Sequence, residues 1–163
     1  MTTDEDFLRR AIALAVRNVE TDSGGPFAAV IVRDGAVVGE GANSVTRTCD
    51  PTAHGEVNAI RDACRRLEAF TLERCTLYTS CEPCPMCLAA CYWAGIERVV
   101  FGATQQDAAA AGFGDEAMYR EFTLPPAARS LPATALLTQE ALAAFTAWLQ
   151  SENRIPYGTL EPR

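Results

Sequence analysis

The sequence predicts a single α/β domain: a mixed sheet of five strands with helices on both faces. Three observations carry that prediction. Phe27 to Val32 is a continuous apolar run, followed by Asp34-Gly35 and a returning run from Ala36 to Gly41, the pattern of two strands joined by a tight hairpin. Cys75 to Thr79 and Arg98 to Phe101 are short strand-like runs separated by a helical segment, a spacing that makes the two strands parallel through a crossover. Amphipathic stretches precede, separate and follow these runs, so that helices cover the sheet.

Taken in order, Thr2 and Glu5 read as a capping box. Leu8, Ala11, Ile12, Ala15, Val16 and Val19 form one apolar stripe, so the first helix runs to about Glu20. Ser23-Gly24-Gly25-Pro26 ends it. After the hairpin comes a polar loop, Asn43 to Asp50. Asp50-Pro51-Thr52 opens a second helix with Val57, Ile60, Cys64 and Leu67 on one face. The third helix follows the Cys-rich turn after the third strand and stops at Gly95. Ala108 to Ala111 and Glu116 to Phe122 read as short helical segments. Ala133 to Leu137 reads as the fifth strand, and Gln139 to Gln150 as the last helix, packed through Leu142, Phe145, Trp148 and Leu149. The main domain is assigned to residues 1–150, and the aperiodic, proline-containing segment 151–163 is set apart from it.

Composition bounds the function. The chain of 163 residues carries 14 basic and 21 acidic side chains, a net charge of −7, with a pI near 4.7. That balance disfavours a nucleic-acid backbone as substrate. No run is long enough to span a membrane. The acidic start, Met1 to Asp6, is the opposite of an export signal. Seven cysteines without such a signal point to a reducing compartment, so the expected location is the cytoplasm.

The chemistry concentrates between Tyr78 and Trp93. Cys84-Pro85-Met86-Cys87 sits at a helix start, with Pro85 suited to the first helical position. Its two thiols converge off the helix end, where the helix dipole favours thiolates. Converging thiolates suit a soft metal, zinc first. His54 is the single histidine of the chain and opens the second helix, with Glu56 two residues on. Residues two apart on a helix point about 200° away from each other, so they share no side face, but both reach a metal lying off the helix end. The inferred site is one zinc held by His54, Cys84 and Cys87 with a fourth position open, the pattern of a catalytic zinc. Glu56, free of ligation, is placed to shuttle protons. The competing arrangement is a closed cage in which Cys81 supplies a fourth ligand and no chemistry follows. A redox dithiol at Cys84 and Cys87 leaves His54 and Glu56 unexplained. Cys49, Cys64, Cys75 and Cys91 read as small buried residues.

His54-Gly55-Glu56 together with Pro83-Cys84-Pro85-Met86-Cys87 resembles the cytidine deaminase-like superfamily of zinc nucleobase deaminases, and within it the bacterial guanine deaminases. Gly25-Pro26-Phe27, Asp50 to His54, Leu77 to Cys87 and Asp107 to Phe113 extend the resemblance from Phe7 to about Tyr157. It implies a three-layer αβα fold with a five-stranded mixed sheet, one zinc ion per subunit, a nucleobase substrate and a homodimer. It further implies that the C-terminal segment is exchanged between subunits and caps the partner's site. By the same resemblance Phe27 and Trp93 line the pocket, Asn43 hydrogen-bonds the base, Asp115 is a second acid near the leaving amine, and Tyr157 lies near the pocket. The activity implied is hydrolytic deamination of guanine to xanthine and ammonia. Cytosine, a nucleoside or another aminated heterocycle are the alternative substrates. Gly55 departs from the Ala that many relatives carry, a change read from the sequence as sterically mild.

Overall fold

The computed structural model describes residues 2–158. It divides into two compact units, residues 1–115 and 116–163. In the first unit the elements run α1 (Asp4–Glu20), β1 (Ala28–Arg33), β2 (Ala36–Ala42), α2 (Val45–Thr48), α3 (Gly55–Leu67), β3 (Cys75–Cys81), α4 (Pro85–Ala94), β4 (Arg98–Ala103) and α5 (Gln105–Ala110). The second holds α6 (Glu116–Thr123), a 3₁₀ turn (Pro126–Ala128) and α7 (Thr138–Gln150).

The sheet among the described residues has four strands in the order β2-β1-β3-β4. β1 pairs antiparallel with β2 and with β3, while β3 and β4 are parallel. The expected hairpin and crossover are therefore both present. The expected fifth strand is not: Ala133–Leu137 is irregular backbone. Two alanines give it little strand preference. Pro132 precedes it, and Leu137 adopts φ 54° as the residue before α7, outside the extended region.

Alternation along β1 builds two cores. Ala29 and Ile31 face one side with Ala59 and Ala63 of α3, Cys91 and Ala94 of α4, and Leu77. Val30 and Val32 face the other with Phe7 and Ala11 of α1, and Tyr78. Residues two apart on a strand share a face, so one strand sorts the helices onto both sides. α3 lies very close to β2. A Cβ at Gly41 would sit 2.3 Å from the Ala59 nitrogen, and one at Gly39 would sit 2.7 Å from the Ala59 carbonyl oxygen. These two glycines let the helix settle directly on the strand.

Several local expectations shift. The capping box is Thr3 with Asp6, whose carboxylate accepts from the Thr3 amide at 2.9 Å. The buried face of α1 is Phe7, Ala11, Ala15 and Asn18, whereas Ile12, Val16 and Val19 are exposed. Asp50 makes a turn rather than a helix start, its Oδ1 accepting from the Thr52 amide and hydroxyl, and the helix begins at Gly55. Cys49 is exposed, not buried, and takes the left-handed position that ends α2. No helix among the described residues is long and apolar enough to cross a membrane.

Candidate metal centre and catalytic site

Two helix starts meet at the carboxyl end of β3. His54 is the N-cap residue of α3 and Cys84 that of α4, with Pro85 in the first turn. N-cap positions ordinarily carry a Ser, Thr, Asp or Asn that accepts a backbone hydrogen bond. Neither His54 nor Cys84 does so. Their side chains turn instead toward one point. His54 Nδ1 lies 3.6 Å from Cys84 Sγ and 3.5 Å from Cys87 Sγ, and the three ligand atoms all fall within 4.8 Å of one another.

Those distances test the fit to zinc. Bond lengths of about 2.3 Å to sulfur and about 2.05 Å to nitrogen at a tetrahedral angle place S and N about 3.6 Å apart. The observed spacings match. The charges also fit: the Cys87 thiol, hydrogen-bonded to Cys84, pulls the Cys84 thiol well below its ordinary value, and His54 adds to this. The same contact pushes Cys87 up. Both helix N-termini present their positive ends to this charge.

Cys81 stays out of the cluster. It is buried, its Sγ donates to the Thr104 carbonyl at 3.6 Å, and burial pushes its thiol up to about 11. A neutral thiol turned to a carbonyl is not a fourth ligand, so among the described residues the group that could hold a metal is His54, Cys84 and Cys87.

Glu56, in the first turn of α3, is 5% exposed. Burial pushes its carboxyl above the usual range, opposed by its own backbone amide, the Cys87 thiol and the Thr79 hydroxyl. Glu56 forms no ion pair among the described residues, so desolvation dominates. Asp115 brings a second acid near. Burial raises it first, and the negative charge at Cys84 raises it further, while His54 pulls the other way. Its Oδ1 is buried with no hydrogen-bond partner among the described residues. An orphaned carboxylate oxygen beside a metal triad is what a site built for a ligand leaves exposed to that ligand.

Gly55 is a correction to the sequence reading. A Cβ there would lie 2.8 Å from Ala28 Cα and 3.1 Å from the Phe27 carbonyl oxygen. In this chain the missing side chain lets the start of α3 lie directly against Ala28 at the start of β1.

Asn43 is 8% exposed. Its Oδ1 accepts from the amides of Gly25 at 3.2 Å and Val45 at 3.3 Å. Both contacts consume the carbonyl end, so the amide is oriented with its Nδ2 as the donor it offers. Phe27 is half-buried and stands edge-on to Phe113 at 4.8 Å. Trp93 lies on α4 and is 61% exposed, so it is not a core residue. Tyr157 belongs to the second unit, edge-on to Trp148 at 6.4 Å.

Supporting side chains went unnoticed in the sequence. Asn18 Nδ2 donates to the carbonyls of Gly25 and Asn43, both at 2.8 Å. Asn58 Nδ2 donates to Ala42 and Ala53. Thr79 Oγ1 contacts Glu56 Oε1 at 3.0 Å. Asn18 left a trace, a polar residue seven positions after Ala11 and three after Ala15 on the buried stripe; the others left none.

A mixed sheet that directs two helix starts at a His, Cys, Cys cluster beside a buried glutamate defines a zinc-binding hydrolytic class of protein. The family described as the cytidine and deoxycytidylate deaminase zinc-binding region matches residues 1–103. Guanine deaminase of Bacillus subtilis (strain 168) is 50% identical over 153 residues, 94% of this chain and 98% of the relative. The X-ray structure of guanine deaminase from Bacillus subtilis superposes with a TM-score of 0.91 at 50% identity, covering 94% of this chain and 98% of that one. A tRNA-specific adenosine deaminase of Aquifex aeolicus (strain VF5) is 44% identical over 99 residues, 61% of this chain and 65% of the relative. The chain belongs to this family of zinc-binding deaminases.

Proposed function

We propose that this protein hydrolyses the exocyclic amine of guanine, giving xanthine and ammonia, at a zinc ion held by His54, Cys84 and Cys87. The observation that carries the chemistry is the buried, metal-adjacent Glu56, a carboxyl kept out of ion pairs and raised by desolvation. A general acid–base works best with a pKa moved toward the operating pH. When bound, zinc supplies a Lewis acid that acidifies water near neutral pH. Glu56 takes the water proton at its carboxylate, returns it to the ring nitrogen next to the amine-bearing carbon, and assists the departing ammonia. Asp115 is assigned as the second acid near the leaving amine, a role supported by its buried Oδ1, which has no hydrogen-bond partner among the described residues. Asn43 donates through Nδ2 to an acceptor on the base, with Phe27 and Trp93 as aromatic walls and Tyr157 near the pocket.

The choice of guanine rests on the likeness to a guanine deaminase that spans almost the whole of both chains. The likeness to a tRNA-specific adenosine deaminase covers 61% of this chain, and a net charge of −7 opposes a polyanionic substrate. Ammonia release from guanine, guanosine, cytosine, cytidine and adenine tests the assignment. Guanine reacting far faster than the rest supports it, and an inert guanine beside a reacting pyrimidine removes it.

We also read the functional form as a cytoplasmic homodimer in which segment 151–163 is exchanged and caps the partner's site; residues 159–163 lie outside the described residues. Free cysteines support the location. α7 has no buried residue, and its Leu142, Phe145, Trp148 and Leu149 are exposed, an apolar face of the kind that association covers.

A further inference from the structure

We propose that Thr79 is the positioning residue for Glu56, its hydroxyl fixing the carboxylate in the orientation that serves the metal centre. The inference rests on the deaminase reading above and extends it to a residue outside the zinc motif.

Thr79 lies on β3, is fully buried, and is held by pairing on both sides, to Ala29 of β1 and Phe101 of β4. Its Oγ1 stands 3.0 Å from Glu56 Oε1. A threonine hydroxyl has one proton to give. The other acceptor in reach is the Ala28 carbonyl, at a longer 3.4 Å, so the carboxylate is the better partner. A buried threonine on a strand needs no such partner for its backbone, which the sheet already satisfies.

The Glu56 carboxylate has few anchors. Besides its own backbone amide, the side chains that hydrogen-bond it among the described residues are the Cys87 thiol and the Thr79 hydroxyl. A cysteine serving as a metal ligand is a thiolate and has no proton to donate. The Thr79 hydroxyl is then the side-chain donor that remains. A long side chain with a single side-chain donor, attached to a rigid strand, is oriented by that donor. No hydrogen bond joins Thr79 to His54, Cys84 or Cys87 among the described residues, so in this role it acts through Glu56.

The test compares T79V, which keeps the shape and removes the hydroxyl, with T79S, which keeps the hydroxyl, alongside wild type and E56Q. Each is measured for zinc content, melting temperature, and kcat and KM for guanine. The infrared carboxyl band of Glu56, isolated as the difference from E56Q at one fixed pH, supplies a readout independent of turnover. The expected result is that T79V binds zinc as wild type does and loses kcat about 10- to 100-fold with KM nearly unchanged. Its Glu56 band shifts, and T79S restores both kcat and band. Wild-type kcat and an unmoved band in T79V overturn the proposal, as does a T79S protein as impaired as T79V. If T79V does not fold, T79S and T79A carry the same comparison. Wild type inactive toward every amine tested defeats the deaminase reading, and the infrared band still decides whether Thr79 holds Glu56.

Discussion

At the scale of single residues, the centre works by withdrawing side chains from their usual partners. His54 and Cys84 occupy capping positions and cap nothing. Cys81 is three residues from Cys84, yet its thiol is turned to the Thr104 carbonyl. The difference gives a direct expectation: C81A keeps one zinc per chain by elemental analysis, and C84A loses it. Loss of zinc in both proteins contradicts a three-ligand centre. The ligands were legible in the sequence because few residue types bind zinc and their spacing is local to two helix starts. Thr79 was not legible. Threonine is an ordinary strand residue, and its partner Glu56 is 23 positions away, so only the folded sheet brings them together. Asn18 and Asn58 act on backbone carbonyls, which every sequence has and no pattern marks.

At the scale of elements, close approaches place the chemistry. The start of α3 lies against β1 because Gly55 has no side chain, and Ala28 occupies the space a methyl would need. G55A must therefore push the helix start outward. We expect a stability loss of about 1–3 kcal/mol in denaturant unfolding and weaker zinc retention against a chelator. Undiminished stability and zinc retention refute the close-approach argument. The start of α1 is tied differently. Asp4 bonds Arg98 of β4 at 2.7 and 2.8 Å and accepts from the Tyr78 hydroxyl at 2.6 Å. Arg98, then Tyr78, hold the Asp4 carboxyl down at about 2. An acid whose folded pKa lies below its unfolded value adds stability that is complete above about pH 4 and disappears as pH falls toward about 2. Melting temperatures across that window should fall more steeply for wild type than for D4N, with added salt narrowing the gap. Parallel curves at low salt would show that the contact contributes nothing.

At the scale of the whole chain, the hairpin and the parallel crossover were readable because turn chemistry and apolar runs are local. The fifth strand was misread because Ala133–Leu137 is mostly apolar but has Thr134 as its one β-branched residue, and a short, mostly apolar run does not by itself separate a strand from irregular backbone. The exposed side of α1 has a similar origin. A stripe drawn through Ile12, Val16 and Val19 is as regular as the one actually buried, and a period does not say which face meets the sheet. Those exposed residues, with the apolar face of α7, fit the dimer proposed above. Light scattering should give a mass of twice the 17.6 kDa chain, and a stable, active monomer would remove the exchange of C-terminal segments.

The central claim is that a buried glutamate beside an open three-ligand zinc performs the deamination. Zinc content and ammonia release from guanine, measured on the same preparations of wild type and E56Q, test it most directly. Equal zinc in both and turnover reduced by about 10²- to 10⁴-fold in E56Q are expected. An E56Q protein that holds its zinc and keeps most of its turnover would contradict it.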